Sequence, residues 1–215
     1  MSAQISGTEG YADEAAALLR NWREIPFAEL HRSILHLIPR GPARILDIGS
    51  GAGGDAAALA ESGHTVVAVE PTDALRVPAM AMHTSSRIEW LDDSLPDLTV
   101  LCARKGTYDV VMLTAVWMHL DAHQRARSMP RVASLMCEGG VLIMSLRHGP
   151  VPPGRRMFEV SAQETIDLAA LYELRPVLNL GTPSIQEGNR RSGVNWTRLA
   201  FEKPGADQSI GAARD

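Results

Sequence analysis

From residue 43 onward, short apolar runs alternate with longer stretches whose apolar residues recur at helical spacing. The runs predict strands at Arg44–Ile48, Thr65–Val69, Arg87–Leu91, Tyr108–Thr114, Val141–Leu146, Val177–Leu180 and Val194–Phe201. Strands separated by helices indicate βαβ units and a mostly parallel sheet. Predicted helices include Asp55–Glu61, closed by Gly63, and Asp73–Met82, which Pro78 is expected to kink or delay. A further helix is expected from Asp121, where Gln124 completes a capping-box spacing, and Pro130 is expected to divide it. Ser161–Glu164 reads as a capping box opening a helix to Leu174.

Before residue 43 the pattern differs. Amphipathic helices are predicted at Ala12–Trp22 and Phe27–Leu37, with Pro26 and Pro39 as punctuation. The expected organisation is an N-terminal helical cover over 1–42, one α/β domain over 43–203 and a disordered tail over 204–215. Residues 1–10 are expected to be loosely held. The 215-residue length suits one domain with a sizeable core.

Composition narrows the classes. A net charge of −4 argues against a nucleic-acid surface, which needs a basic excess. No stretch approaches the roughly 20 apolar residues that span a bilayer, and no basic start precedes an apolar run. Cys102 and Cys137 lie far apart without metal-ligand spacing, so reduced thiols, no metal and a cytoplasmic setting are expected. The oligomeric expectation is monomer or homodimer.

The candidate chemistry begins at Asp47-Ile48-Gly49-Ser50-Gly51-Ala52-Gly53-Gly54, a strand, a tight turn and a helix start. Glycines let backbone amides approach a ligand closely at a helix N-terminus. Gly49, Gly51 and Gly54 also satisfy G-x-G-x-x-G, which alone discriminates weakly. Asp47 stands where a dinucleotide turn usually keeps an apolar residue, and little length remains for a dehydrogenase's second domain. Glu70 ends strand two, 19 residues after Gly51, where an acid can accept ribose hydroxyls. Asp92-Asp93-Ser94-Leu95-Pro96 ends strand three, where a carboxylate can accept an exocyclic amine.

Together these residues resemble the class I S-adenosylmethionine-dependent methyltransferase family. The resemblance rests on D-x-G-x-G-x-G (Asp47, Gly49, Gly51, Gly53), on the acids after strands two and three, on Tyr108–Leu113 as strand four, and on Glu138-Gly139-Gly140 as the turn into strand five. It implies a doubly wound, Rossmann-like α/β fold with seven strands, the last antiparallel, and S-adenosylmethionine as cofactor with S-adenosylhomocysteine as product. It carries cofactor contacts onto Asp47, Gly49, Ser50, Gly51, Gly53, Glu70, Pro71, Asp93, Ser94, Thr114 and Asp92, with Asp92 preferred to Asp93 for the adenine.

The acceptor is expected beyond the carboxyl ends of strands four and five. Tyr11, Trp117, Arg147, His148 and Arg155 are the expected substrate contacts, with Trp22 as a second lid residue and His119 as the candidate base. Arg147, Arg155 and Arg156 share a proline-rich stretch without an acid, which suggests a small anionic acceptor. Methyl transfer to a protein or RNA, and a non-catalytic cofactor-binding domain acting through a partner, are the alternatives.

Overall fold

The computed structural model describes residues 5–205. Seven strands form one sheet: β1 (Arg44–Ile48), β2 (Thr65–Val69), β3 (Ile88–Leu91), β4 (Tyr108–Leu113), β5 (Met136–His148), β6 (Arg175–Pro183) and β7 (Asn195–Glu202). Their order is β3-β2-β1-β4-β5-β7-β6, and β7 runs antiparallel to both of its neighbours. The order reverses between β1 and β4, so a crevice opens at the carboxyl ends of those strands, where ligands of such sheets bind.

The helices are α1 (Tyr11–Arg23), α2 (Phe27–Leu30), α3 (Gly54–Glu61), α4 (Asp73–Met82), α5 (Thr99–Ala103), α6 (Ala122–Leu135), α7 (Ala162–Ala170) and α8 (Glu187–Arg191). The central strands are apolar on both faces because both are covered. Leu46, Val111, Leu113, Leu142, Met144 and Phe201 pack against Met129 and Val132 of α6 and Ala169 of α7. On the other face Ile45, Val66, Ala68, Met112 and Ile143 meet Ala56 and Leu59 of α3 and Ile34.

Three predicted helices differ from those observed. Residues 27–37 do not form one helix, since α2 ends at Leu30 and a 3-10 turn occupies Leu35–Leu37. The Ile34 amide bonds back to the His31 carbonyl at 2.8 Å, and the Leu30 carbonyl that a continuing helix would use accepts from Arg198 Nη2 at 3.3 Å. Neither internal proline breaks its helix. Pro130 lies inside continuous α6 and Pro78 inside continuous α4, each beside residues buried in the core (Met129 and Val132; Leu75 and Ala79). That burial outweighs the lost backbone bond. The Asp121–Gln124 capping box is complete in both directions. The helix opened by Ser161 stops at Ala170 rather than Leu174.

β5 and β6 are longer than predicted, and β7 is shifted by one residue. β5 begins at Met136, so Gly139 and Gly140 lie within it rather than in a turn before it. β6 is an exposed edge strand that starts and ends near prolines, where a missing donor costs nothing in the ladder. Residues 5–10 are tied to the domain: Arg156 Nη1 donates to Ser6 Oγ at 2.5 Å, and a Cβ on Gly7 would lie 3.3 Å from the His119 carbonyl oxygen. Most of the tail expected to be disordered lies outside the described residues.

Candidate active site

A cavity of about 320 Å³ opens over the crevice. One end is walled by the β1–α3 turn and by the ends of β2 and β3. The other is walled by α1, α2, the segment that follows β4 and residues of β5 and β7.

The turn end is built from local sequence. Gly49 and Gly51 hold φ values of 75° and 55°, a region that side chains rarely adopt. A Cβ on Gly49 would lie 2.5 Å from Val116 Cγ2, and one on Gly51 would lie 2.9 Å from Trp22 Cζ3. Trp22 of α1 therefore lies directly over the glycine turn. Glu70 is buried, and its carboxylate is fixed by two backbone donors, the Gly51 amide at 2.9 Å and the Thr72 amide at 2.8 Å. Each oxygen keeps a lone pair for a further donor. Burial raises the Glu70 pKa, against the lowering effect of those amides.

Asp47 is buried at the end of β1, and its Oδ2 has no hydrogen-bond partner. Burial, followed by the nearby charges of Asp55 and Glu70, pushes its carboxyl well above the ordinary range. The Ser50 hydroxyl is also buried without a partner. Unpaired buried polar atoms are costly and call for an explanation. Both residues line the cavity. Asp55 is held by His31 Nε2 at 2.8 Å and by the Thr114 hydroxyl at 3.1 Å.

Pro71, Ser94 and Thr114 line the cavity, as expected of cofactor contacts. Two other expectations are corrected. Gly53 is not in the wall; it is the left-handed residue before α3, and a Cβ there would meet the Trp90 ring at 2.4 Å. Asp92 is exposed and pairs with Arg76 at 3.2 Å, whereas Asp93 is buried in the cavity wall. Asp93 accepts from the Ser94 amide at 2.9 Å and the Leu101 amide at 2.8 Å, which holds the chain turn between β3 and α5. Adjacent residues leaving a strand point in opposite directions, so only one of the two acids can face the cavity.

At the other end, residues distant in sequence meet. The Tyr11 hydroxyl and His119 Nε2 are 2.9 Å apart, and both side chains line the cavity. His119 Nδ1 lies 2.8 Å from the Arg156 carbonyl. A carbonyl only accepts, so Nδ1 carries the proton, and in the neutral ring Nε2 accepts from Tyr11. Burial lowers the His119 pKa. Burial raises that of Tyr11, partly opposed by Arg155, whose guanidinium carbon lies 4.1 Å from the Tyr11 ring centre.

The remaining expected substrate contacts are corrected, because none of them lines the cavity. Trp117 is 0% exposed and packs in the core beside β4 and α6. Arg147 Nη1 donates to the Pro150 carbonyl at 2.7 Å. His148 Nε2 lies 2.8 Å from the Thr197 hydroxyl. Arg155 donates to Glu14 at 2.8 Å and Arg156 to Asp121 at 3.0 Å. Arg155 and Arg156 thus join the N-terminal segment to the domain, through Glu14 and Ser6. The residues that do line this end and were missed are Ser145, Trp196, Arg198 and Asp55. One signal was available: Arg198 alternates with Trp196 and Ala200 on one face of the strand, a cation at an inward position.

The fold is a doubly wound α/β sheet with a cavity at the carboxyl ends of its central strands. Comparison with known proteins gives the family. A model described as a methyltransferase domain matches residues 19–197. The chain belongs to that family, the class I S-adenosylmethionine-dependent methyltransferases. No curated protein sequence matches the chain. Solved structures share the fold. N-methyltransferase NodS from Bradyrhizobium japonicum, in complex with S-adenosylhomocysteine, is 18% identical with a TM-score of 0.69, covering 90% of this chain and 98% of that one. The 1,6-didemethyltoxoflavin-N1-methyltransferase of Burkholderia thailandensis, with 1,6-didemethyltoxoflavin and S-adenosylhomocysteine bound, is 18% identical with a TM-score of 0.66, covering 95% and 94%. A TehB-like S-adenosylmethionine-dependent methyltransferase from Corynebacterium glutamicum is 18% identical with a TM-score of 0.65, covering 90% and 98%. Among the described residues no helix is long and apolar enough to cross a membrane.

Proposed function

We propose that the protein is a cytoplasmic enzyme that transfers the methyl group of S-adenosylmethionine to a small-molecule acceptor. The carrying observation is the Tyr11–His119 pair, which shares one covered cavity with the glycine turn and Glu70. Trp22 and Tyr11 roof that cavity from α1, which favours an enclosed small acceptor over a macromolecular chain.

The donor set fits the cofactor. Glu70 offers acceptors for ribose hydroxyls, Asp93 an acceptor for the adenine amine, and the unpaired Asp47 and Ser50 oxygens acceptors for the ammonium end. Gly49 and Gly51 keep the backbone close, and Pro71, Ser94 and Thr114 complete the wall. When bound, the cofactor supplies an electrophilic methyl group on a sulfonium.

The chain's own residues then align the acceptor, exclude water and take up its proton. The Tyr11 oxygen accepts the acceptor's O–H or N–H proton as its own proton passes to His119 Nε2. The Arg156 carbonyl holds Nδ1–H throughout, which keeps Nε2 as the accepting atom. Arg155 over the Tyr11 ring favours negative charge on the phenol oxygen during the transfer.

Incubation with a metabolite library, read as S-adenosylhomocysteine formation, tests this reading. Turnover on at least one small molecule is expected. With that acceptor, His119→Ala should lower kcat by about a hundredfold or more. Turnover confined to protein or RNA would replace this reading with the macromolecular one.

A further inference from the structure

Arg198 is the one arginine of the β5–β7 wall that reaches the cavity. It is 7% exposed, on a strand hydrogen-bonded on both sides, and it lies beside Trp196 with its guanidinium carbon 5.8 Å from that ring. Among the described residues its one side-chain hydrogen bond is the 3.3 Å bond from Nη2 to the Leu30 carbonyl. Among the described residues no carboxylate forms an ion pair with it. Asp55, whose charge it feels, is instead occupied by His31 and Thr114. A guanidinium carries five donors in a planar fork, so most of this fork is unmatched by protein. A buried cation with unused donors is costly unless a partner supplies acceptors.

We propose that Arg198 anchors the acceptor by binding a carboxylate on it, with the planar part of the acceptor against Trp196. This rests on the small-molecule reading above and adds the chemical class and the residue that selects it. A carboxylate fits the site better than a phosphate dianion. The cavity already holds four acids, Asp47, Asp55, Glu70 and Asp93, and Arg198 is the cation facing them from this wall. A single negative charge matches one fork, whereas a second would be unpaired. The arginines of the basic loop do not line the cavity: Arg147 donates to Pro150 and Arg156 to Asp121, and Arg155 donates to Glu14 while its Nη1, among the described residues, is buried without a partner.

The test is equilibrium binding to the full chain saturated with S-adenosylhomocysteine. Fluorine NMR would follow 4-fluorobenzoate, 4-fluorobenzamide and 4-fluorophenyl phosphate. The acid should bind at least tenfold more tightly than the amide and more tightly than the phosphate. Arg198→Gln should weaken the acid by about tenfold to a hundredfold without weakening the amide. Arg198→Lys should recover part of the preference, because it keeps the charge and loses the fork. Calorimetry of S-adenosylhomocysteine on each variant reports whether the fold and cofactor end are intact, with affinity expected within about threefold of the parent. Equal affinity for acid and amide, binding of neither, or an unchanged acid in Arg198→Gln would overturn the assignment. Tighter phosphate binding would overturn the choice of carboxylate. No step depends on turnover, so failure here leaves small-molecule methyl transfer standing. Absence of small-molecule turnover leaves this binding result intact.

Discussion

The two ends of the cavity are made in different ways. The turn end comes from strand, turn and helix contiguous in sequence, with Glu70 reaching back 19 residues to the Gly51 amide. The opposite end joins Tyr11 to His119 across 108 residues and Leu30 to Arg198 across 168. Chemistry that must meet one fixed ligand can be built into a rigid local motif. Chemistry that must meet a variable ligand is assembled from elements that differ between relatives of one fold. Changes at the turn end should therefore alter cofactor affinity, and changes at the assembled end should alter turnover or acceptor binding.

The largest expected effect is at the turn. Gly51→Val places a β-branched residue at φ 55° with its Cβ 2.9 Å from Trp22. Calorimetry should detect no S-adenosylhomocysteine binding, and retained affinity would show that backbone approach at Gly51 is not needed. Glu70→Ala removes the acceptor shared by Gly51, Thr72 and the ribose. A loss of about 1.5–3 kcal/mol, roughly tenfold to somewhat over a hundredfold in affinity, is expected in the same measurement.

A third expectation concerns pH. Burial beside two other acids raises the Asp47 pKa, so in the free protein this carboxyl stays protonated above the ordinary range. A cation placed beside it favours the carboxylate. Affinity for S-adenosylmethionine should therefore rise as pH rises through that titration, with release of a proton. Calorimetry in buffers of different ionisation enthalpy reads the release directly, and a pH-independent affinity would remove Asp47 from the cationic end. For the unliganded fold the sign is opposite. A raised carboxyl pKa costs stability as pH rises through it, so Asp47→Asn should raise Tm at alkaline pH while weakening cofactor binding. The smallest effect belongs to Arg147→Ala. Its side chain lies outside the cavity and bonds a local carbonyl, so stability should change by less than about 0.5 kcal/mol and acceptor KM should hold.

The same contrast explains what the sequence disclosed. The strands of the mostly parallel sheet and the positions of Asp47 and Glu70 follow from alternation and from a glycine turn whose spacing is local, and the antiparallel β7 follows from the family resemblance. Asp92 against Asp93 was decided by which side of the chain turn each acid left, and that depends on the Leu101 amide waiting across the turn. The cluster Arg147, His148, Arg155 and Arg156 misled because charge density in sequence does not reveal pairing. Glu14, Asp121 and Ser6, distant in sequence, accept from Arg155 and Arg156, and Thr197 meets His148. Trp117 misled in the same way, since adjacency to a strand end does not say whether a ring faces the crevice or the core. The prolines of α4 and α6 show local preference yielding to burial.

The division between the two ends is tested most directly by a pair of variants measured two ways. Glu70→Ala and Tyr11→Phe would each be assayed for S-adenosylhomocysteine affinity by calorimetry and for kcat with the acceptor found by the library screen. Glu70→Ala should weaken affinity by tenfold or more. Tyr11→Phe should leave affinity within about threefold and lower kcat by about tenfold to a hundredfold, because it loses the hydroxyl that links acceptor to His119. Tyr11→Phe with unchanged kcat, or with an affinity loss equal to that of Glu70→Ala, would contradict the account.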